Sequence, residues 1–151
     1  MSDRKRDAEW EGGAKECPYT SDTNFHTMPM LDHLGINVTD YARAKEFYGT
    51  VLATLGSSMQ MEPVPGVSGW GPSQMDPAFW ITEKPVTGPA HVAFSAKNRK
   101  EVDAFYEAAL KAGAKDNGKP GIRAEYHPNY YGAFVIDADG HNIEAVCHMP
   151  E

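Results

Sequence analysis

The sequence predicts an α+β domain of two tandem βαβββ units, whose strands form a curved, partly open mixed sheet with the helices on the outside. Two observations support this. A strand followed by a capped amphipathic helix and three further strands occurs twice in the 151 residues, and one offset of 58 relates the first strand and helix of the two copies without a gap. The offset carries His33 onto His91 and Phe47 onto Phe105. The predicted organisation is an N-terminal arm (1–29), a first unit (30–87) and a second unit (88–151).

The first unit opens with a strand over 31–38, in which apolar and polar positions alternate. Thr39 and Asp40 then predict the cap of a helix, and Gly56 predicts its end. The buried stripe of this helix has the spacing of one helical face and comprises Ala44, Phe47, Tyr48, Val51, Leu52 and Leu55. Short strands follow at 58–63, 67–71 and 78–83, separated by Pro and Gly.

The second unit repeats this order. A strand over 90–95 precedes a helix capped by Asn98, and further strands are predicted at 123–126, 131–137 and 142–148. The stripe of the second helix comprises Val102, Phe105, Tyr106, Ala109 and Leu110. The arm has neither helical nor strand periodicity, and we expect it to pack on its own domain or on a neighbouring subunit.

Composition excludes several classes of function. The net charge of −7 and the absence of a basic cluster argue against nucleic-acid binding. The N-terminus is charged, and no apolar run is long enough to cross a membrane. Two cysteines almost a chain length apart suggest reduced thiols rather than a disulfide framework or a zinc knuckle. A cytoplasmic protein with a small-molecule partner is expected.

Three residues stand out as candidates for chemistry. His33 and His91 are equivalent by the repeat, and each lies near the start of its predicted strand. Glu144 shares a strand face with Asn142 and Val146, away from the apolar side that the helices must cover. If the two first strands lie side by side, two imidazoles and one carboxylate meet in one cupped sheet. That is the donor set of a 2-His-1-carboxylate metal site with open positions.

The paired units resemble the vicinal oxygen chelate superfamily, which includes glyoxalase I, fosfomycin-resistance enzymes, bleomycin-binding proteins and extradiol dioxygenases. The resemblance covers residues 30–149 and is clearest in two segments, DHLGINVTDYARAKEFY and DADGHNIEAVCH. It implies that His33, His91 and Glu144 are metal ligands. Glyoxalase I has a fourth protein ligand, and aligning the two units puts Ile81 at that place. Glu83, two residues on, is an alternative fourth ligand, and water or substrate is another.

The resemblance implies a metal-dependent lyase or isomerase that acts on a small oxygen-rich metabolite, with one divalent ion (Zn, Ni, Mn or Fe) per chain and a homodimeric assembly. An extradiol iron dioxygenase is an alternative. His127, Asp137, Gly140 and Glu144 fit its spacing, although Phe134 stands at its tyrosine position and Ala138 at its proline position. A metal-free small-molecule binding protein is a further alternative.

One predicted loop could supply catalytic side chains. His127, Tyr130 and Tyr131 belong to the segment HPNYYG, in which Pro and Asn favour a loop beside the last strands. A histidine and two tyrosines next to a metal-bearing sheet can bind substrate oxygens or transfer protons. The other interpretation is a turn whose tyrosines pack at the sheet edge.

Overall fold

The computed structural model describes residues 31–150, so the predicted arm, 1–29, lies outside the described residues. Residues 31–150 belong to one compact unit, in which two βαβββ modules follow one another. The first module contains β1 (Leu34–Val38), α1 (Tyr41–Ala53), β2 (Ser58–Val64), β3 (Val67–Gly71) and β4 (Phe79–Glu83). The second contains β5 (His91–Ser95), α2 (Arg99–Lys111), β6 (Lys115–Ile122), β7 (Tyr131–Ile136) and β8 (Asn142–Cys147).

Each module forms its own four-stranded mixed sheet. Sheet A has the strand order β1-β4-β3-β2, and sheet B has the order β5-β8-β7-β6. The pairs β1–β4 and β5–β8 are parallel, and the remaining pairs are antiparallel. The α+β class and the two tandem open units are therefore confirmed.

One expectation about the sheets is corrected. The first strands of the two units were expected side by side in one cupped sheet, whereas β1 and β5 are edge strands of separate sheets. The reason is the way the apolar surface is buried. Helix α1 lies against sheet A, α2 lies against sheet B, and the two helices contact each other, so both modules share one core. The modules of one chain thus pack through their helical sides.

Both predicted helix starts are confirmed. The Asp40 side chain accepts a hydrogen bond from the Arg43 amide at 3.0 Å, and Asn98 accepts one from the Glu101 amide at 3.0 Å. These caps satisfy amide groups that have no partner inside the helix. The predicted stripes are buried apart from Leu55, which is partly buried beyond the end of α1, and Leu110, which is exposed.

Other predicted elements are displaced. The residues at 123–126 form a turn, because the strand expected there lies earlier, in β6. Pro120 is tolerated in β6 because this strand is at the edge of sheet B. His33 precedes β1 rather than lying within it.

Each sheet has an inner face towards the helices and an outer face away from them. The inner face of sheet B carries buried Val92, Ala133, Val135, Ile143 and Ala145. Its outer face carries the residues between them, including His91, Phe134 and Glu144. The inner face of sheet A carries buried Ile36, Val38, Phe79 and Ile81, and Gly35 and Asn37 on its outer face are exposed. The structure therefore buries the inner faces and leaves much of the outer faces open.

Buried hydrogen bonds connect the two modules. His141 accepts the Ala90 amide on Nδ1 at 2.9 Å and donates from Nε2 to the Asn37 carbonyl at 2.8 Å. This arrangement requires the neutral imidazole with its proton on Nε2. Tyr48 in α1 donates to Asp137, which follows β7, at 2.7 Å. These bonds fix α1 and β1 against the β7–β8 turn.

No helix within 31–150 is long and apolar enough to cross a membrane.

Candidate functional site

Glu144 is a buried carboxylate on the outer face of sheet B. It lies in β8, between β5 and β7, and pairs with Ala93 on one side and Phe134 on the other. The residue is 1% exposed, yet its Oε2 lies 3.0 Å from Nε2 of His91, which is exposed. A buried carboxylate needs charged or hydrogen-bonding partners to remain ionised. His91 at the edge of the sheet is one such partner.

Tyr130 is the second partner of Glu144. Its hydroxyl donates to Oε1, so the two carboxylate oxygens are held by different residues. Burial, and then the hydrogen bond and charge of Glu144, raise the pKa of Tyr130 well above its ordinary value. Gly132 makes the approach possible, because a Cβ there would lie 3.1 Å from both Glu144 Oε1 and Tyr130 Cε1.

His127 lies beside Tyr130 without reaching Glu144. The ring centroids of His127 and Tyr130 are 5.5 Å apart. Nδ1 of His127 accepts the Asn129 amide, so its Nε2 donates to Nδ1 of His148 at 2.7 Å. The structure thus places the predicted candidates His127 and Tyr130 together and adds His148 to them.

Tyr131, the third candidate for catalysis, points to the other face. Its hydroxyl donates to Asp103 of α2 at 2.8 Å, and the Arg99 guanidinium lies over its ring. Tyr131 pairs with Cys147, which is on the inner face of sheet B. This side chain therefore packs between sheet B and helix α2.

His33 lies in the first module, just before β1. Its Nδ1 is 2.7 Å from the Asp32 carboxylate, both side chains are exposed, and a small cavity beside it is lined by Met75, Asp76, Pro77 and Trp80. Across residues 31–150, no group of three or more His, Cys, Asp or Glu side chains is arranged to hold a metal ion. A single chain therefore brings together His91 and Glu144 but not His33.

The strand register corrects the alignment of the two modules. Ala93 pairs with Glu144, and its repeat equivalent, Gly35, pairs with Trp80. Trp80, rather than Ile81, therefore stands where Glu144 stands in the second module. The indole lies so close to Gly69 that a Cβ there would be 2.8 Å from the ring.

Ile81 and Glu83 lie on the inner face of sheet A. Ile81 is fully buried and pairs with Ile36. Glu83 pairs with Val38 on the same side, and its Oε1 accepts the Tyr41 amide at the start of α1 at 3.4 Å. This position is on the opposite side of the sheet from the outer face.

Phe134 and Arg123 lie near Glu144, and neither was a candidate site residue from the sequence. Phe134 lies directly opposite Glu144, and its ring centroid is 6.3 Å from that of His91. The Arg123 guanidinium lies over the Phe134 ring. The alternation of side chains along β7 could have predicted that Phe134 lies on this face. No sequence pattern predicts the turn that brings Arg123 to the same face.

The pair His91–Glu144 has the chemistry of a metal half-site. It presents an imidazole nitrogen and a carboxylate oxygen, and two ligands about 2.1 Å from one ion and at right angles to each other are about 3 Å apart. The 3.0 Å between His91 Nε2 and Glu144 Oε2 matches this spacing. His91 and Glu144 therefore fit two of the ligands of a divalent ion, and further donors would have to come from elsewhere.

Comparisons with known proteins place the fold. No protein-family profile matches the chain, and the search of curated proteins found no match. Among solved structures, a glyoxalase/bleomycin resistance protein from Albidiferax ferrireducens T118 is 28% identical with a TM-score of 0.68, over 78% of this chain and 98% of that one.

Two further structures agree with the first. A glyoxalase/bleomycin resistance protein/dioxygenase family enzyme from Burkholderia phytofirmans PsJN is 16% identical with a TM-score of 0.61, over 78% of this chain and 98% of that one. A glyoxalase-related enzyme from Fulvimarina pelagi is 16% identical with a TM-score of 0.59, over 80% and 88%. At this identity both show the fold alone. The chain therefore has the fold of the glyoxalase/bleomycin resistance/dioxygenase proteins, that is, of the vicinal oxygen chelate superfamily that its sequence resembles.

Proposed function

We propose that this protein is a metal-dependent enzyme of the lyase or isomerase type, which binds a small oxygen-rich metabolite at a divalent ion held by His33, His91 and Glu144. The observation that carries the proposal is the contact between His91 and Glu144. A nearly fully buried carboxylate faces an exposed imidazole at 3.0 Å, on the sheet face that the helices leave open. A purely structural ion pair at this place would leave the neighbouring outer surface without a role.

His33 joins the site from a second copy of the chain. His33 has the strand parity of Gly35 and Asn37, the exposed residues on the outer face of sheet A. Within 31–150 both helices pack on the inner faces, so no helix covers this face or the outer face of sheet B. We therefore propose a homodimer in which sheet A of one copy faces sheet B of the other, so that one His33 meets one pair His91–Glu144.

When bound, a divalent ion with open positions polarises a substrate carbonyl and stabilises the negative charge that develops on its oxygen. Side chains of this protein would orient the carboxylate ligand and transfer the substrate proton. Tyr130 holds one carboxylate oxygen, which leaves the other oriented towards His91. His127, paired with His148 beside Tyr130, is the candidate for moving a substrate proton.

One observation favours an iron dioxygenase as the second candidate. Trp80 occupies the place where a fourth protein ligand would lie, so the proposed donor set has two histidines and one carboxylate. That set is typical of non-haem iron enzymes that react with dioxygen. The metal-free binding protein is the interpretation that remains if no ion binds.

Metal stoichiometry tests the proposal. Purified wild-type protein is reconstituted with Zn²⁺, Ni²⁺, Mn²⁺ or Fe²⁺, and metal content and thermal stability are measured. We expect about one ion per chain and a rise in melting temperature with at least one of these metals, and loss of both in Glu144→Gln. Glu83→Gln is the matched control, because Glu83 faces helix α1 and should not affect metal content. Absence of tight binding by the wild type contradicts the proposal and supports the metal-free binding protein.

A further inference from the structure

Arg123 brings a positive charge to the outer face of sheet B. It follows β6 at the start of the loop 123–130, and its amide donates to the carbonyl of Tyr130 at 2.8 Å. Its guanidinium carbon lies 5.5 Å from the centroid of the Phe134 ring, and Phe134 pairs directly with Glu144. Residues that oppose each other in an antiparallel pair share a face of the sheet. Arg123 therefore lies on the same face as the proposed metal site.

The guanidinium is held in place by backbone and ring contacts. Nη2 donates to the carbonyl of Lys119 at 2.7 Å, and the Phe134 ring supports the guanidinium from below. Two glycines leave space for it: a Cβ at Gly121 would lie 3.1 Å from Nη1, and one at Gly118 would lie 3.4 Å from Nη2. A larger residue at Gly121 would push the guanidinium away. The position of the charge is thus built into the β6–β7 hairpin.

Within residues 31–150, most of the hydrogen-bonding capacity of this guanidinium is uncommitted. Arginine carries five N–H donors, and the contact with Lys119 uses one of them. Among residues 31–150, no carboxylate lies within ion-pair distance of Arg123. A fixed arginine without an acidic partner, next to a proposed substrate site, is the usual arrangement for recognising a carboxylate or phosphate.

We propose that Arg123 binds an anionic group, a carboxylate or a phosphate, of the substrate whose adjacent oxygens bind at the site of His91 and Glu144. The inference rests on the proposed function and adds to it the class of substrate. Phe134 neighbours both groups: its ring centroid lies 5.5 Å from the guanidinium carbon of Arg123 and 6.3 Å from the ring centroid of His91. The substrate therefore carries its anionic group one ring or a few bonds away from the two oxygens.

Matched pairs of chelators test the inference by calorimetry on Zn²⁺-loaded protein. Catechol and 3,4-dihydroxybenzoate differ by one carboxylate, and acetohydroxamate and phosphonoacetohydroxamate differ by one phosphonate, so the two pairs distinguish the two kinds of anion. We expect the wild type to bind the anionic member of at least one pair about 10- to 100-fold more tightly, as for a charge-assisted hydrogen bond. Arg123→Gln should abolish this preference and leave the neutral member unchanged, and Arg123→Lys should restore part of it.

Arg43→Gln is the matched control, because Arg43 lies on α1 near Asp139, at 3.9 Å, and away from the outer face of sheet B. It should keep the full preference. A wild type that binds neutral and anionic members of both pairs equally overturns the inference. So does an Arg123→Gln variant that retains the preference.

A second experiment separates this inference from the proposed function. Metal-free protein is titrated with benzoate and with inorganic phosphate while the Arg123 Nε–H signal, assigned by its loss in Arg123→Gln, is followed by NMR. We expect this signal to shift with at least one anion and the Arg43 signal to stay in place. If no chelator binds the Zn²⁺-loaded protein but an anion shifts Arg123, the metal proposal fails and the anion site stands. An unmoved Arg123 signal overturns the inference whatever the metal result.

Discussion

Trp80 occupies in the first module the place that Glu144 occupies in the second. Trp80 pairs with Gly35 of the parallel neighbour strand β1. Glu144 pairs with Ala93 of β5, which is the repeat equivalent of Gly35. The repeat has therefore diverged at the point where chemistry is proposed. One module presents a carboxylate, and the other presents an indole packed on Gly69.

Gly69→Ala should disturb this indole. A Cβ at this position would lie 2.8 Å from the Trp80 ring, so the ring must move or the sheet must shift. We expect a loss of about 1–3 kcal/mol in the free energy of unfolding, as for other overpacked sites, and a changed Trp fluorescence. Gly88→Ala is the control, since a Cβ there meets nothing within 4 Å. Equal stability of the two variants would show that Trp80 is not packed on Gly69.

His127→Ala and Glu144→Gln should differ in metal content. Glu144→Gln replaces the proposed carboxylate ligand by a neutral amide, which is a much poorer ligand for a divalent ion. His127 contacts His148 and Tyr130 rather than Glu144, so its removal should leave metal content nearly unchanged. It should still lower turnover about 10²- to 10⁴-fold if His127 transfers a proton. Loss of metal in His127→Ala would place His127 among the ligands, and full activity would show that the loop is only a turn.

Tyr48 should make stability fall at alkaline pH. Burial, and then the charge and hydrogen bond of Asp137, raise the pKa of Tyr48 well above its ordinary value of 10.0. Below pH 10 both the folded and the unfolded chain keep this proton, so the contribution to stability is complete. Above it only the unfolded chain ionises, and stability declines as pH rises further. Between pH 9 and 11, the free energy of unfolding measured with urea should therefore fall less steeply with pH in Tyr48→Phe than in the wild type. The same pH dependence in both proteins would contradict this.

Tyr130 adds to the same alkaline loss. Its pKa is also raised, first by burial and then by Glu144. The free energy of unfolding of Tyr48→Phe should therefore still fall somewhat at alkaline pH. The comparison between wild type and variant isolates the part that belongs to Tyr48.

His141→Ala should destabilise the metal-free protein by about 2–4 kcal/mol, because it leaves the Ala90 amide and the Asn37 carbonyl without their partner and opens a cavity between the modules. His33→Ala, at an exposed histidine, should change the unfolding free energy by less than about 0.5 kcal/mol. Chemical denaturation measures both. If His141→Ala is as stable as His33→Ala, the modules are held together by other contacts.

Regular elements of this fold were predictable because the repeat and the caps are local signals. Asp40 and Asn98 begin helices where the sequence analysis placed them. The alternation in the last strand placed Glu144 on the face opposite the core, and its contact with His91 agrees with that placement.

Features that depend on exact register or on loop geometry were not predictable. The second half of the modules has no constant offset, so Ile81 was aligned with Glu144 in place of Trp80. A slip of one residue exchanges the two faces of a strand, and residue pattern alone does not fix it when both residues are apolar. The bond from Tyr130 to Glu144 and the position of Arg123 both depend on how the loop 123–130 turns back, which no periodicity encodes.

We propose a metal site shared between two copies, with His33 from one and His91 and Glu144 from the other. Subunits with different affinity tags can be co-expressed and the mixed dimers isolated. The first mixed dimer combines a His33→Ala subunit with a Glu144→Gln subunit. The second combines a wild-type subunit with a subunit that carries both substitutions. In a shared arrangement the first mixed dimer contains one intact site and the second contains none. The measurement is the number of metal ions per mixed dimer. We predict one ion for the first mixed dimer and none for the second. The reverse result, none and then one, would show that each site forms within a single chain.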